Sequence, residues 1–173
     1  MAQLPGGRFW VGSDAKEKFA EDESPRFLTE LAPYCLDLTE VTLAQYRSCV
    51  ETGACTKPAD KQFHCNNRRE DRANHPVNCV TWTQANQYCA ARGQRLPSEA
   101  EWELAARGGE KYFKYPWGDE PPEGRTCWKS AHSCPVKSFP AGAFGLFDIS
   151  GNVWEWTNDY YGPYPWPPAS GFS

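Results

Sequence analysis

Glycine and proline occupy so many positions in this chain that no long helix or strand can run through it. The 173 residues include 14 Gly and 15 Pro, and both interrupt regular structure, Pro by removing a backbone donor and Gly by its conformational freedom. None of the β-type runs between them is longer than about six residues. We therefore expect a loop-rich fold, and loops of this extent usually need disulfides or a bound metal ion to stay fixed.

Three helices are predicted by one recurring device, the capping box, in which a Ser or Thr caps the first turn and a Gln or Glu three residues later reaches back. Each helix is expected to end at a glycine. The boxes and their terminal glycines are Thr42 and Gly53, Thr81 and Gly93, and Ser98 and Gly108. Short strands are predicted at residues 7–12, 33–38, 145–149 and 153–157. The predicted class is α+β, with few short strands, three helices and one domain over residues 1–173.

Eight cysteines, even in number and without a Cys-x-x-Cys pair, favour disulfides over a zinc site. They stand at positions 35, 49, 55, 65, 79, 89, 127 and 134. Proximity favours Cys127 with Cys134, and one short loop among Cys49, Cys55 and Cys65. The alternatives are free thiols, or half of a zinc site at His64 beside Cys65 or at His132 beside Cys134. The disulfide prediction implies an extracytoplasmic location, secreted or periplasmic.

The charge pattern argues against a nucleic-acid partner. Basic side chains number 18 and acidic ones 22, the net charge is -4, and the densest basic stretch, residues 68–72, holds two acidic residues. The mean hydropathy is -0.71, and no apolar run approaches the ~18 residues that a membrane span requires. The sequence therefore predicts no transmembrane helix.

Catalytic side chains are few. The three histidines stand in no known hydrolase, zinc-protease or nucleotide-binding motif. Glu99, Glu101 and Glu103 fall on the first turns of the third predicted helix, where carboxylates favour the helix dipole. We expect them to form ion pairs with Arg95 and Arg107 rather than to act in acid–base catalysis.

The segment around Asp148 differs from the other loops. Asp148 is followed by Ser150, Gly151 and Asn152, between apolar and indole side chains. Carboxylate, carboxamide and exposed carbonyl oxygens would lie close together there, which suits Ca²⁺ with its 6–8 oxygen ligands. A tight turn with an Asx hydrogen bond is the alternative.

Five blocks of sequence follow one another along the chain. They are LDLTEVT (36–42), PVNCVTW (76–82), RLPSEAEWELAARGG (95–109), YPWG (115–118) and GLFDISGNVWEWT (145–157). In this order they resemble the formylglycine-generating enzyme family, also called the sulfatase-modifying factor family. The resemblance covers about residues 4 to 161 and implies a C-type-lectin-like fold tied by calcium.

The resemblance also implies a chemistry. Enzymes of this family oxidise the cysteine of a sulfatase Cys-x-Pro-x-Arg segment to Cα-formylglycine, using O₂ and a Cu(I) ion held by two thiolates. In the family those cysteines follow the Trp-Glu-Trp block and a further strand, and closing strands complete the domain. The chain ends at Ser173 before any match to them, so we expect a truncated family domain that is inactive as given, with copper only in a longer parent form. We likewise expect the N-terminus to be cut down, because no signal peptide precedes the domain.

Site residues are carried over from the family only where its motif matches. The block at residues 145–157 places Asp148 as a side-chain ligand of structural Ca²⁺, with backbone oxygens from Ile149, Gly151 and Val153. Trp154 stands where the family lines its substrate groove, although we expect a buried core indole there. No catalytic residue is carried over.

Two functions follow as hypotheses. In the first, the chain is part of a formylglycine-generating oxidase, and its partner is the sulfatase Cys-x-Pro-x-Arg peptide. In the second, it is a non-catalytic extracytoplasmic module, stabilised by calcium and disulfides, that binds a peptide, protein or glycan.

Overall fold

Regular structure is confined to short elements within the residues that the computed structural model describes, which are 1–14, 23–60 and 62–164. The helices are α1 (Leu43–Glu51), α2 (Trp82–Ala91) and α3 (Glu99–Ala106). The strands are β1 (Ala2–Leu4), β2 (Gly7–Val11), β3 (Phe27–Leu31) and β4 (Tyr34–Leu36). Loops and single 3₁₀ turns connect them. The predicted α+β, loop-rich class is confirmed.

All three predicted capping boxes are present. Thr42, Thr81 and Ser98 each accept a hydrogen bond from the backbone N–H three residues on, and the Gln or Glu there accepts one in return. The predicted terminal glycines directly follow the C-cap residues and have left-handed backbones, with φ between 68° and 77°. The local sequence thus determines where each helix begins and ends. None of the helices within the described residues is long and apolar enough to cross a membrane.

The strands form two separate antiparallel pairs, β1 with β4 and β2 with β3. The predictions at residues 7–12 and 33–38 are confirmed by β2 and β4. The strands predicted at residues 145–149 and 153–157 are wrong. Positive φ values at Gly145 and Asp148 break extended backbone in the first, and residues 153–157 pair with no strand among the described residues. The sequence analysis missed β1 and β3.

Two apolar clusters form the core. The larger packs Leu4 of β1 and Val11 of β2 against Leu104 and Ala105 of α3, together with Leu146 of the later loop. In the smaller, Tyr46 of α1 stacks on Tyr88 of α2, with ring centroids 5.6 Å apart. Helix α3 therefore packs against the β2–β3 pair, whereas α1 and α2 support the loops between residues 52 and 81.

Three disulfides hold the loops, namely Cys49–Cys55, Cys65–Cys79 and Cys127–Cys134. This confirms the predicted pairing of Cys127 with Cys134 and the predicted short disulfide loop, which Cys49 and Cys55 close. Cys35 and Cys89 are unpaired. The last part of the aromatic C-terminal stretch, residues 165–173, lies outside the described residues. Within them, Tyr164 packs edge-on against Phe27 and donates a hydrogen bond to Glu99.

Candidate functional site

The segment predicted to bind calcium is a run of turns whose backbone demands its residue types. Asp148 and Asn152 have φ values of 57° and 55°, and Gly151 has a φ of 100°. Asp, Asn and Gly are the residues that adopt this left-handed region most readily. A Cβ atom at Gly151 would also lie 2.4 Å from the Thr126 hydroxyl oxygen. The Asp, Gly and Asn of the motif are therefore required by the turn itself, whether or not an ion binds.

Asp148 supplies an oxygen without a partner. The residue is 9% exposed, and its Oδ2 accepts a hydrogen bond of 2.7 Å from the Lys137 N–H. Its Oδ1 is buried and has no hydrogen-bond partner among the described residues. Burial raises the pKa of this carboxyl group. A buried carboxylate oxygen without a hydrogen-bond partner destabilises the fold unless a cation or a water molecule binds it.

The backbone oxygens of the same turn are also available. Ser150 accepts a hydrogen bond from the Thr126 hydroxyl through its carbonyl. Within the described parts of the chain no group donates to the carbonyls of Ile149, Gly151 or Val153. The three carbonyls predicted as ligands are thus without a donor among the described residues, as are those of Asp148 and Asn152 in the same turn.

A small cavity of about 10 Å³ adjoins this turn, with Asp148, Ile149 and Ser150 in its wall. Its size suits a single water molecule or ion. Arg125 also lines it, but the Arg125 guanidinium forms an ion pair with Glu120. Asp148 and Ile149 of the predicted ligand set therefore adjoin a space that suits a small cation, whereas Gly151 and Val153 do not line it.

Two glutamates that the sequence analysis did not select add charge to this region. Burial raises the pKa of Glu40 to about 8, helped by the nearby charges of Glu155 and Asp148. Both Glu40 carboxylate oxygens are buried without a hydrogen-bond partner among the described residues. Burial also raises the pKa of Glu155 to about 7, and the Trp102 side chain opposes this rise. Glu155 is nonetheless exposed as a whole residue, so the direction of this pKa shift carries more weight than its size.

Both glutamates stand in the sequence blocks already noted, Glu40 in LDLTEVT and Glu155 in GNVWEWT. A lone carboxylate between two indoles was the available signal for Glu155, whereas Glu40, between Thr39 and Val41, carries no comparable signal. The three carboxylates do not converge tightly. Within the described ranges the one group of three His, Cys, Asp or Glu side chains whose ligand atoms all lie within 4.8 Å of one another is His64, Cys65 and Cys79. Calcium at Asp148 would depend mainly on backbone oxygens and water, both common Ca²⁺ ligands.

The loop closed by the Cys127–Cys134 disulfide is hydrogen-bonded to the Asp148 turn through Asn152. Asn152 donates from its backbone N–H to the Cys127 carbonyl at 3.0 Å, and its side-chain Oδ1 accepts from the Cys134 N–H at 2.9 Å. The Asn152 carboxamide is therefore used to connect the turn to the disulfide loop. In both alternative zinc sites, at His132 beside Cys134 and at His64 beside Cys65, the cysteine is part of a disulfide and offers no thiolate in this state.

A larger cavity of about 550 Å³ lies on the other side of the turn. Its wall includes residues from β4, α2, the loop before α3 and the segment 153–156. Four acidic side chains and one basic side chain line it, namely Asp37, Glu40, Glu101, Glu155 and Arg95. Because Arg95 is paired with Glu101 at 2.6 Å, the other ionisable side chains named here are all acidic.

Trp154 stands at this cavity and is 102% exposed. The prediction of a buried core indole is therefore wrong, since the turn at residues 151–153 directs this side chain outward. The neighbouring indoles fix the segment instead. Trp156 donates to the Val80 carbonyl at 3.0 Å, and Trp82 donates to the Thr157 carbonyl at 2.8 Å.

The glutamates of α3 have structural partners, as predicted. Glu101 accepts two hydrogen bonds from Arg95, at 2.6 and 2.7 Å, and also caps the helix. Glu103 is paired with Arg107 at 2.7 Å and accepts from the Gly12 N–H. Glu99 accepts from the Tyr164 hydroxyl. The ion pairs expected with Arg95 and Arg107 are confirmed.

Comparison with known proteins places these features in one family. Residues 1–170 match the model of the sulfatase-modifying factor enzyme 1-like domain. The chain is 30% identical to the formylglycine-generating enzyme of Thermomonospora curvata, over 93% of this chain and 71% of that protein. It is 31% identical to the mouse protein named inactive C-alpha-formylglycine-generating enzyme 2, over 94% of this chain and 70% of that one.

Other relatives carry the domain within a larger protein. The chain is 35% identical to the serine/threonine-protein kinase pkn1 of Chlamydia caviae, covering 94% of this chain but 28% of the kinase. Among solved structures, PvdO from Pseudomonas aeruginosa superposes with a TM-score of 0.75 at 27% identity, over 92% of this chain and 70% of that one. The family match spans nearly the whole chain, and the two pairs of strands, the capped helices and the Asp148 turn lie within it. The chain belongs to the sulfatase-modifying factor family.

Proposed function

We propose that this chain is a non-catalytic, extracytoplasmic recognition domain that receives an extended polypeptide segment in the 550 Å³ cavity. The observation that carries the proposal is the character of that cavity: apart from the Arg95–Glu101 pair its charged residue types are acidic, and a fully exposed indole, Trp154, stands at it. A basic side chain of a bound segment would meet the carboxyl groups of Glu40 and Glu155. The exposed indole can stack on an apolar or cationic group of the same segment.

Calcium and disulfides serve as supports in this proposal. Asp148, with the carbonyls of Ile149, Gly151 and Val153, would hold the ion and so fix the turn that presents Trp154. The family resemblance favours this ligand set, and the unpartnered Asp148 Oδ1 supports it. The three disulfides agree with an oxidising location outside the cytoplasm.

A second candidate function is formylglycine formation by a longer form of the protein. It is favoured by relatives named as formylglycine-generating enzymes, of which the chain covers about 70%. A Cu(I) ion held by two thiolates would supply O₂ activation there. This chain's part in such an enzyme would be to bind and orient the sulfatase segment in the same cavity. The copper-binding cysteines would come from sequence beyond the matched blocks.

One experiment separates the two. A fluorescent peptide containing Cys-x-Pro-x-Arg is titrated with the protein in the presence of Ca²⁺, and binding is followed by anisotropy. The same samples, kept in air with Cu(I), are analysed by mass spectrometry for conversion of the cysteine –CH₂SH group to –CHO. Conversion by a longer form of the protein would support the enzyme, whereas peptide binding without conversion in every form tested supports the recognition domain.

Substitutions test whether the peptide binds in the 550 Å³ cavity. Trp154→Ala should weaken peptide binding at least fivefold, because one stacking contact contributes about 1 kcal/mol or more. Trp128→Ala is the matched control, since Trp128 is an exposed indole outside the cavity wall. Replacing the peptide's Arg by Ala should weaken binding to the wild-type protein. Equal affinity for the Arg and Ala peptides, or no binding at all, would overturn the proposed recognition role.

A further inference from the structure

A second group of metal-binding side chains lies away from the cavity, in the loop between α1 and α2. One ring nitrogen of His64 and the sulfurs of Cys65 and Cys79 all lie within 4.8 Å of one another. In the structure the two sulfurs form a disulfide. His64 is exposed, Cys65 is buried and Cys79 is half-buried. The group is therefore fixed on one side and open to solvent on the other.

Hydrogen bonds hold the loop in place independently of the sulfur–sulfur bond. The Asn78 side chain donates to the His64 carbonyl at 2.8 Å and accepts from the Asn66 N–H, also at 2.8 Å. The Cys79 carbonyl accepts from the Ala59 N–H at 3.1 Å. Both cysteines are thus positioned by neighbouring backbone contacts.

Asn66 adds a buried polar core beneath this loop. It is 0% exposed, donates to the Pro76 carbonyl at 2.8 Å and accepts from Arg72 at 2.7 Å. Because hydrogen-bonded polar groups that are fully buried resist rearrangement, we expect the loop to keep its path when the disulfide is reduced.

We propose that His64, Cys65 and Cys79 form a redox-gated binding site for a thiophilic divalent cation of the Zn²⁺ type. A dithiol reductant transfers two electrons and two protons to the Cys65–Cys79 disulfide, which becomes two thiols while the reductant becomes a cyclic disulfide. The cation then binds two thiolates and one neutral imidazole nitrogen, and two protons are released to solvent. Thiol–disulfide exchange with an oxidised dithiol, which accepts the two electrons and takes up two protons to become a dithiol, re-forms the Cys65–Cys79 disulfide, removes both sulfur ligands and expels the ion.

The geometry suits this cation. In a tetrahedral zinc site with Zn–S bonds of about 2.3 Å, the two sulfurs lie about 3.8 Å apart. The Cα atoms of Cys65 and Cys79 are 5.6 Å apart, so rotation of the two side chains can open that separation without moving the backbone. Two thiolates neutralise the ion, and the exposed side of His64 leaves a fourth position for water.

Cadmium absorbance tests the proposal, because thiolate–Cd²⁺ charge transfer gives a near-ultraviolet band. The full chain is reduced with a dithiol, freed of reductant without air, and titrated with Cd²⁺. Near-ultraviolet circular dichroism is recorded alongside to show that the fold persists. We expect one tight site per chain in the reduced protein and none in the oxidised protein.

The controls isolate these ligands from the other thiols. His64→Ala should weaken the tight site at least tenfold, whereas His132→Ala should leave it unchanged, although His132 is also exposed and contacts the same Phe63 ring as His64. Cys49→Ser/Cys55→Ser removes another disulfide and should retain the tight site. Equal affinity in wild type and His64→Ala would overturn the proposal. Loss of the folded signal on reduction would overturn it as well, because the loop would then depend on the disulfide.

Discussion

At the scale of single residues, the turn at Asp148 combines left-handed backbone with a buried carboxylate. Left-handed backbone favours Asp, Gly and Asn there, and burial leaves one Asp148 oxygen without a partner among the described residues. Without a cation, Glu40 with a pKa of about 8 is mostly protonated at neutral pH. The carboxyl groups of this region are thus costly to ionise in the folded protein until a positive charge arrives.

Asp148→Asn should abolish stabilisation by calcium. If the wild type binds one Ca²⁺, a concentration 100 times the Kd adds about 2.7 kcal/mol to its free energy of unfolding, and the carboxamide variant loses most of this gain. Thermal melts with Ca²⁺ and with a chelator provide the measurement. Glu123→Gln, an exposed carboxyl group elsewhere, should respond like the wild type. Identical wild-type midpoints with Ca²⁺ and with chelator would show that the Asp148 site is wrong.

At the scale of elements, α3 connects the parts of the molecule that surround the site. Its Glu103 accepts from Gly12 beside β2, and the Glu101 carbonyl accepts from the Tyr34 hydroxyl of β4. At its first turn the Glu99 N–H donates to Asp159 at 2.6 Å. Because the segment after Trp156 is anchored here, the start of α3 helps to set the position of the cavity wall.

Ser98→Ala should destabilise the protein by about 1 kcal/mol, the usual effect of losing an N-cap. The hydroxyl oxygen accepts from the Glu101 N–H at 3.2 Å, and an alanine leaves that donor without its cap. Urea unfolding followed by tryptophan fluorescence measures the change. Ser48→Ala, on the exposed surface of α1, should stay within about 0.5 kcal/mol of wild type. Equal effects of the two substitutions would mean that the cap contributes nothing.

At the scale of the whole molecule, covalent links replace extensive regular structure. Two small β pairs and three short helices leave most of the described chain in loops, and three disulfides close those loops at separations of 6, 14 and 7 residues. Such links stabilise mainly by restricting the unfolded chain, more so for longer loops. The Cys65–Cys79 link therefore has the largest expected contribution of the three.

Removing that link as Cys65→Ser/Cys79→Ser should lower the free energy of unfolding by about 3 kcal/mol, against about 2.4 kcal/mol for the shortest loop, Cys49→Ser/Cys55→Ser. Cys35→Ser should be close to neutral, since Cys35 is exposed and unpaired. Denaturant unfolding gives the energies. Thiol titration of the denatured, unreduced wild type should find two free thiols. A count of eight would contradict the disulfides altogether.

The sequence alone determined the features that depend on neighbouring residues. The three capping boxes predicted all three helices, because each cap joins groups only three residues apart. The Cys127–Cys134 pair was predictable for the same reason of proximity. The ordered motifs identified the family, and its Asp148 turn agrees with the backbone that those residue types favour. The Ca²⁺ ligands themselves remain a prediction.

Only the tertiary structure decided what distant residues do together. Residues 145–149 and 153–157 are rich in strand-forming residue types, yet turns held by contacts with Thr126 and the Cys127–Cys134 loop override that preference. Glu40 lies 108 positions before Asp148, and no local pattern reveals that their charges interact. The exposure of Trp154 follows from the same turns, because hydrophobicity favours burial but cannot specify the direction in which a loop presents one side chain.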